Sequence, residues 1–165
     1  MNRFILDASA LVKRYVPEAG APLLDYLFDR ADVARLTCLT IGALEALSVI
    51  VRARNGGRIS ADVADRGVAG LHWEVLLGPT HAVHPDEDAV LAAAPLIETH
   101  NINSTDAVLL RVALDARATM RLAGDDLVLL TSDRRLVRAA KQKGLVVFDP
   151  EAEDLPALEL LVGSA

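Results

Sequence analysis

Two kinds of apolar patterning alternate along this chain. Short unbroken runs, Phe4-Ile5-Leu6, Leu127-Val128-Leu129-Leu130 and Leu145-Val146-Val147-Phe148, have the length and composition of strands buried on both faces. Longer stretches between them carry apolar residues at helical spacing. Residues 127–150 show the alternation most plainly. The run 127–130 predicts a strand, Thr131-Ser132-Asp133 offers capping side chains for a helix, and that helix extends to Gly144, a natural stop. A second strand over 145–148 ends at Asp149-Pro150. Strand, helix and strand in such close succession predict parallel neighbours joined by a right-handed crossover. Ligands of such sheets gather at the carboxyl ends of strands, and Asp133 stands at one of them.

From the N-terminus, residues 3–6 predict a strand that delivers Asp7, and residues 8–15 have helical composition, punctuated by Pro17. Residues 21–30 predict an amphipathic helix with Leu23, Leu24, Leu27 and Phe28 on its inner face. A strand is expected over 34–39, then a nearly all-apolar helix over 41–53, capped by Thr40 and closed by Asn55-Gly56-Gly57. Ser60 caps a further helix to about Leu77, before Gly78-Pro79. Residues 81–84 give a weak strand signal. Residues 86–100 read as a helix with Pro95 inside it, and Ser104 caps a helix to about Arg121. The tail predicts a short helix after Pro156. No repeat or linker interrupts this order. One domain over 1–165 is therefore expected, with a core of 1–150 and a tail of 151–165, in an α/β layout.

Composition narrows the class. A chain of 165 residues, 52% hydrophobic and 24% charged, is globular, not disordered. No apolar run nears the roughly 20 residues that span a bilayer. Asp7 breaks the N-terminal apolar run too early for a signal peptide. The lone Cys38 excludes an internal disulfide framework and a cysteine-only zinc site. A cytoplasmic protein is expected. The net charge of −6 argues against a domain that coats nucleic acid non-specifically. The charge is uneven, however: Arg134, Arg135, Arg138, Lys141 and Lys143 fall together with no acid among them, and Arg52, Arg54 and Arg58 form a second group.

Four acids are awkward where they sit. Asp7 ends an apolar strand, Asp133 follows another, and Asp106 lies in the first turn of a helix; capping or the helix dipole explains each one singly. Glu45 has apolar neighbours on nearly every side, so it needs either a salt-bridge partner or a function, because an unpaired buried charge costs several kcal/mol. In a parallel α/β domain such positions converge on one crevice. Two carboxylates about 4 Å apart repel by roughly 4 kcal/mol at an effective dielectric of 20. A shared cleft therefore demands a cation or bound protons. An all-oxygen ligand set favours Mg²⁺ or Mn²⁺, and the chemistry such ions support is phosphodiester hydrolysis.

In order and spacing, Asp7 in ILDASALVKRY, Glu45 in IGALEALSVI, Asp106 in NSTDAVLL and Asp133 in LLTSDRRLVRAA with its trailing GLVVFDP resemble the acidic signature of PIN-domain ribonucleases. The likeness is above all to the VapC-like toxins of bacterial type II toxin–antitoxin modules, and it covers residues 3–150. It implies a PIN-like three-layer α/β/α fold with a central parallel sheet of four to five strands. It implies Mg²⁺ or Mn²⁺ held by Asp7 and Asp106, with Glu45 and Asp133 completing the set directly or through water. The implied activity is endonucleolytic cleavage of structured RNA such as tRNA or rRNA. Ser9 and Thr131 are then the hydroxyls expected to fix the carboxylates; Arg134, Arg135, Lys13 and Arg14 are expected to hold backbone phosphates. Two partners follow from the resemblance. One is a second copy, docked through the surplus apolar face between Ala21 and Leu77. The other is a small VapB-like antitoxin that inserts a basic side chain among the carboxylates. The chain departs from the family at Arg111, where a small residue is common, and in its long 116–126 connection, whose Asp125-Asp126 pair reads as a turn.

Other readings stay open at this point. One is a catalytically inactive PIN-like module that binds RNA or protein and keeps its acids as caps and ion pairs. Another is a phosphotransferase with Asp7 as nucleophile, although Ser9 stands where that chemistry wants a second acid. His72 and Trp73 fit a core or interface, and His81, His84 and His100 lack metal-binding spacing.

Overall fold

The computed structural model describes residues 1–163. Strands β1 (Asn2–Leu6), β2 (Leu36–Leu39), β3 (His81–Val83), β4 (Asp126–Leu130) and β5 (Val146–Phe148) form one parallel sheet in the order β3-β2-β1-β4-β5. Leu6 pairs with Cys38 on one side and with Leu130 on the other. The chain builds outward from β1 through β2 to β3, and only then returns to lay β4 and β5 on the far side of β1. The strand order therefore reverses between β1 and β4. Neighbouring crossovers leave that junction in opposite directions, which opens a crevice beyond the carboxyl ends of these two strands.

The helices are α1 (Ala8–Leu11), α2 (Ala21–Arg30), α3 (Thr40–Asn55), α4 (Ala61–Leu71), α5 (Glu87–Leu91), α6 (Ala94–His100), α7 (Ser104–Leu122), α8 (Arg134–Gln142) and α9 (Leu155–Val162). Successive strand residues point to opposite faces of a sheet, and here each face has its own core. Phe4, Leu6, Val128 and Leu130 join side chains of α1 to α4 and α9. Ile5, Leu127 and Leu129 join those of α6, α7 and α8. Burial on both faces explains why the strands read as unbroken apolar runs. The result is the three-layer α/β/α arrangement expected, with the parallel unit β4-α8-β5 as its clearest part.

Several local expectations change. Residues 8–15 are not one helix: α1 is a single turn followed by a 3₁₀ turn, Val12–Arg14. The strand expected from residue 34 begins at Leu36, after a 3₁₀ turn over Val33–Arg35. Residues 86–100 split into α5 and α6, with Pro95 in the first turn of α6, where its missing N–H is no loss. The cap of α7 is Asn103, not Ser104. Thr40 does not cap α3; its hydroxyl donates to the Val83 carbonyl at 3.2 Å and ties the helix to β3. Nor is α3 enclosed on nearly all sides. Its small residues Gly42, Ala43 and Ala46 face the core, while Ile41 and Leu44 are 46% and 47% exposed. Trp73, on the π-helical turn His72–Leu76 that extends α4, is 75% exposed and is no core residue.

One close approach links the two ends of the fold. Gly20, at φ +84°, begins α2 against the backbone of Pro150, and an added Cβ would lie 2.5 Å from the Pro150 carbonyl oxygen. Gly20→Ala is expected to lower the unfolding free energy by roughly 2–3 kcal/mol, since strain and overlap combine. Urea denaturation measures this; a change below about 0.5 kcal/mol would show that the turn yields freely.

Candidate functional site

The site begins where β1 stops. The Asp7 N–H donates to the Leu130 carbonyl at 2.9 Å, carrying the β1–β4 ladder one residue further. Asp7 then caps α1 in extended backbone conformation. Its Oδ2 accepts three hydrogen bonds: from Ser9 N–H at 3.2 Å, from Ser9 Oγ at 2.6 Å and from Thr131 Oγ1 at 3.0 Å. Each hydroxyl has one proton, and here both protons go to the carboxylate. Their lone pairs are left to accept from the turn after β4. Ser132 N–H donates to Ser9 Oγ at 3.0 Å, and Asp133 N–H donates to Thr131 Oγ1 at 3.1 Å. Two neutral hydroxyls thus lock the ends of β1 and β4 together around one anion.

Asp133 caps α8. Its Oδ1 accepts from the N–H groups of Arg135 and Leu136 at 2.8 and 3.0 Å. Asp106 enters from the first turn of α7, where Asn103 Oδ1 accepts its N–H at 2.8 Å. Glu45 is half-buried on α3. Among the described residues it has neither the salt-bridge partner nor the apolar enclosure that the sequence suggested. Asn103, Ser104 and Thr105 can all cap a helix, so residue type alone does not choose the cap of α7 among them.

The charges of these four acids meet at Asp106. Burial pushes the Asp106 carboxyl up to about 7, and the negative charges of Asp7, Asp133 and Glu45 push in the same direction, while a hydrogen bond from Asn103 opposes them. The donors to Asp7 and Asp133 are all hydroxyls or backbone N–H groups, so none cancels the charge. Two buried carboxyls, Asp7 and Asp106, beside the half-buried Glu45 and Asp133 form an oxygen set with surplus negative charge that suits a hard divalent cation such as Mg²⁺ or Mn²⁺. Among the described residues, however, no three His, Cys, Asp or Glu side chains stand as a ready-made metal cage. Closing around an ion requires side-chain rotation, for which the long, half-exposed Glu45 is best placed.

The expected phosphate contacts divide sharply. Lys13 is 3% exposed, and its ammonium is shared between Glu18, at 3.1 Å, and Glu151. Arg14 grips both oxygens of Glu74 at 3.2 and 3.0 Å, meets Asp25 at 2.8 Å and lies over the Phe28 ring. Both cations are committed to structural ion pairs, contrary to the expectation that they hold phosphates. Glu18 lies only five residues from Lys13, but Glu151 and Glu74 come from distant segments, so proximity in sequence could reveal only part of the pairing. Arg134 and Arg135 are exposed beside Asp133 and pair with no acid among the described residues. Asp125 binds the N-terminal ammonium, and Asp126 binds Arg117 and Arg121. Neither belongs to the four-acid group, but the turn expected at this pair falls at residues 123–124, and Asp126 already opens β4. A cleft of about 440 Å³ is lined by Arg14, Tyr15, Asp25, Arg66 and Glu74, among others. A second, of about 620 Å³, is lined by residues that include His84, Asp86, Arg111 and Asp115. Neither includes any of the four acids.

No protein-family model and no curated protein matches this chain. Solved structures do. PAE2754 from Pyrobaculum aerophilum superposes with a TM-score of 0.62 at 20% identity, covering 96% of this chain and 94% of that one. FitAB bound to an IR36 DNA fragment gives 0.63 at 15% identity, covering 92% and 98%. FitAcB from Neisseria gonorrhoeae gives 0.56 at 15%, covering 91% and 99%. At these identities the likeness is one of fold, and the shared arrangement is the PIN-like parallel sheet between helical layers.

Asp106 should give the metal-free protein a distinctive pH profile. Its carboxyl ionises near 3.8 when unperturbed and near 7 in the fold. Between those values the folded chain keeps a proton that the unfolded chain has released. Raising the pH across that window therefore weakens folding, by at most about 1.4 kcal/mol per pH unit from this one group. Urea unfolding in EDTA, stepped from about pH 4 to about pH 8, should show the loss, and Asp106→Asn should flatten it. Superimposable profiles for the two proteins would mean that neither burial nor its acidic neighbours raise the Asp106 carboxyl.

Proposed function

We propose that this protein is a Mg²⁺- or Mn²⁺-dependent endoribonuclease acting on structured RNA, and the toxin component of a toxin–antitoxin pair. The observation that carries the reading is geometric: Ser9 and Thr131 bind Asp7 to the turn that carries Asp133 at the carboxyl ends of β1 and β4, with Asp106 and Glu45 close enough for their charges to interact there. The PIN-like fold supports it, as does the order of the four acidic motifs. One fold relative, FitAB, is described bound to a DNA fragment, so the architecture is compatible with a nucleic-acid setting.

Asp7, Asp106, Glu45 and Asp133 would hold the metal, which when bound orients and deprotonates water and stabilises charge on a phosphoryl oxygen. The chain's own groups prepare that site. Ser9 and Thr131 pin Asp7 through Oδ2 alone, which spares its second oxygen for a ligand. Asp133 likewise gives one oxygen, Oδ1, to the start of α8. Burial and the neighbouring acids favour the protonated form of Asp106, and a bound cation would favour its ionised form. Arg134 and Arg135 would steady the phosphates beside the scissile bond. Cleavage by water would leave a 5′-phosphate and a 3′-hydroxyl.

Two protein partners complete the reading. A second copy would cover the exposed apolar side chains Ile41, Leu44, Trp73 and Leu77. A small antitoxin would place a basic side chain among the acids and replace the charge of the ion.

RNA incubated with Mg²⁺ or Mn²⁺ should be cut by the wild-type chain and spared in EDTA, and Asp7→Asn should slow cutting by roughly 100-fold or more. Equal rates in the two proteins would overturn the assignment. The absence of a ready-made cage among the described residues favours one rival, a PIN-like RNA- or protein-binding module without activity. Calorimetric titration separates them: the nuclease binds Mn²⁺ and loses that binding in Asp106→Asn, whereas the inactive module takes up no metal through Asp106.

A further inference from the structure

We infer that the solvent face of α8 is a phosphate-binding track for an RNA stem, leading away from the four-acid group. The identity of the polymer rests on the nuclease reading; the track itself rests on charge and placement. Residues 134–144 carry five of the chain's 17 Lys and Arg and none of its 23 Asp and Glu. Leu136, Ala139 and Ala140 bury one side of the helix. Arg134, Arg135, Arg138, Lys141 and Lys143 are all exposed. Arg134, Arg138 and Lys141 lie at helical spacings of four and three residues, in a row about 10 Å long.

Many cations elsewhere are already neutralised. Lys13, Arg14, Arg111, Arg117 and Arg121 each pair with a carboxylate. On α8 none does among the described residues; Arg138 reaches only the His100 carbonyl, at 3.4 Å. Placement identifies the ligand. Asp133 is both a member of the acid group and the cap of α8, so the cationic row starts at that group. A polymer with one phosphate at the acids must lay the following phosphates on an adjoining surface, and this row adjoins. An anionic lipid has no reason to begin there.

The row also lacks what an unpaired strand needs. The chain has only three Phe, two Tyr and one Trp, none within residues 134–144, and Phe148 on the neighbouring strand is fully buried. With no ring on which to stack bases, α8 grips backbone alone. That suits RNA whose bases are already paired.

The test compares the wild-type chain with a variant carrying Arg138→Gln, Lys141→Gln and Lys143→Gln, exposed positions whose change should leave the melting curve intact. Binding of an RNA hairpin and of an unpaired RNA of equal length is measured in EDTA across a salt series. The variant should bind the hairpin roughly tenfold or more weakly, with the slope of log Kd against log salt reduced by about 2. The wild-type chain should prefer the hairpin. Hairpin affinity within about twofold of wild type at unchanged slope overturns the track. So does an unpaired strand that binds the wild type as tightly, or an equal loss of binding to phosphatidylserine vesicles. Cleavage of the same hairpin in Mn²⁺ separates the two ideas. If neither protein cuts it while hairpin binding still depends on α8, the nuclease reading fails and the track stands. If both cut it and hairpin binding ignores the three substitutions, the track fails and the nuclease reading stands.

Discussion

Surplus negative charge at the carboxyl ends of β1 and β4 is the constraint to which the rest of this structure answers. Burial raises the Asp106 carboxyl toward 7, and three other acids add to the rise. A fold that places such a group at its topological switch point gives up stability there unless a proton or a cation arrives. The strands beneath are buried on both faces, and that two-sided core outweighs a local electrostatic cost of a few kcal/mol.

The acids are also structural parts. Asp7 starts α1 and Asp133 starts α8, each with one oxygen committed to backbone N–H or hydroxyl donors. Ser9 and Thr131 join these roles, since each hydroxyl donates to Asp7 and accepts from the turn that carries Asp133. Capping and function are therefore not competing explanations of the same residue. A carboxylate has two oxygens and several lone pairs, so holding a helix start and holding a ligand are compatible.

Charge elsewhere is sorted with equal economy. Lys13 and Arg14, close in sequence to Asp7, are drawn off by Glu18, Glu151, Glu74 and Asp25. They fasten the 3₁₀ turn after α1 to neighbouring segments and contribute nothing free to the four-acid group. The cations of α8 have no acids within their own stretch of chain, and they stay exposed. A protein with a net charge of −6 can in this way present a concentrated positive surface beside a cluster of acids.

The sequence alone determined the parallel α/β class, the β4-α8-β5 unit and the order of the four acids, because apolar runs, caps and helix stops are local signals. It also marked α8 as basic. Tertiary structure decided what no local signal carries: which cations find acids, which face of α3 stays open, and that β1 and β4 lie side by side with Asp7 bound to Thr131. It left Glu45, among the described residues, half-buried and without a salt-bridge partner, since the buried face of α3 is made by Gly42, Ala43, Ala46, Ile50 and Ala53 instead. Pairing and burial depend on contacts between residues far apart in the chain, and the charge at Asp106 becomes a property of the group only after the chain has folded.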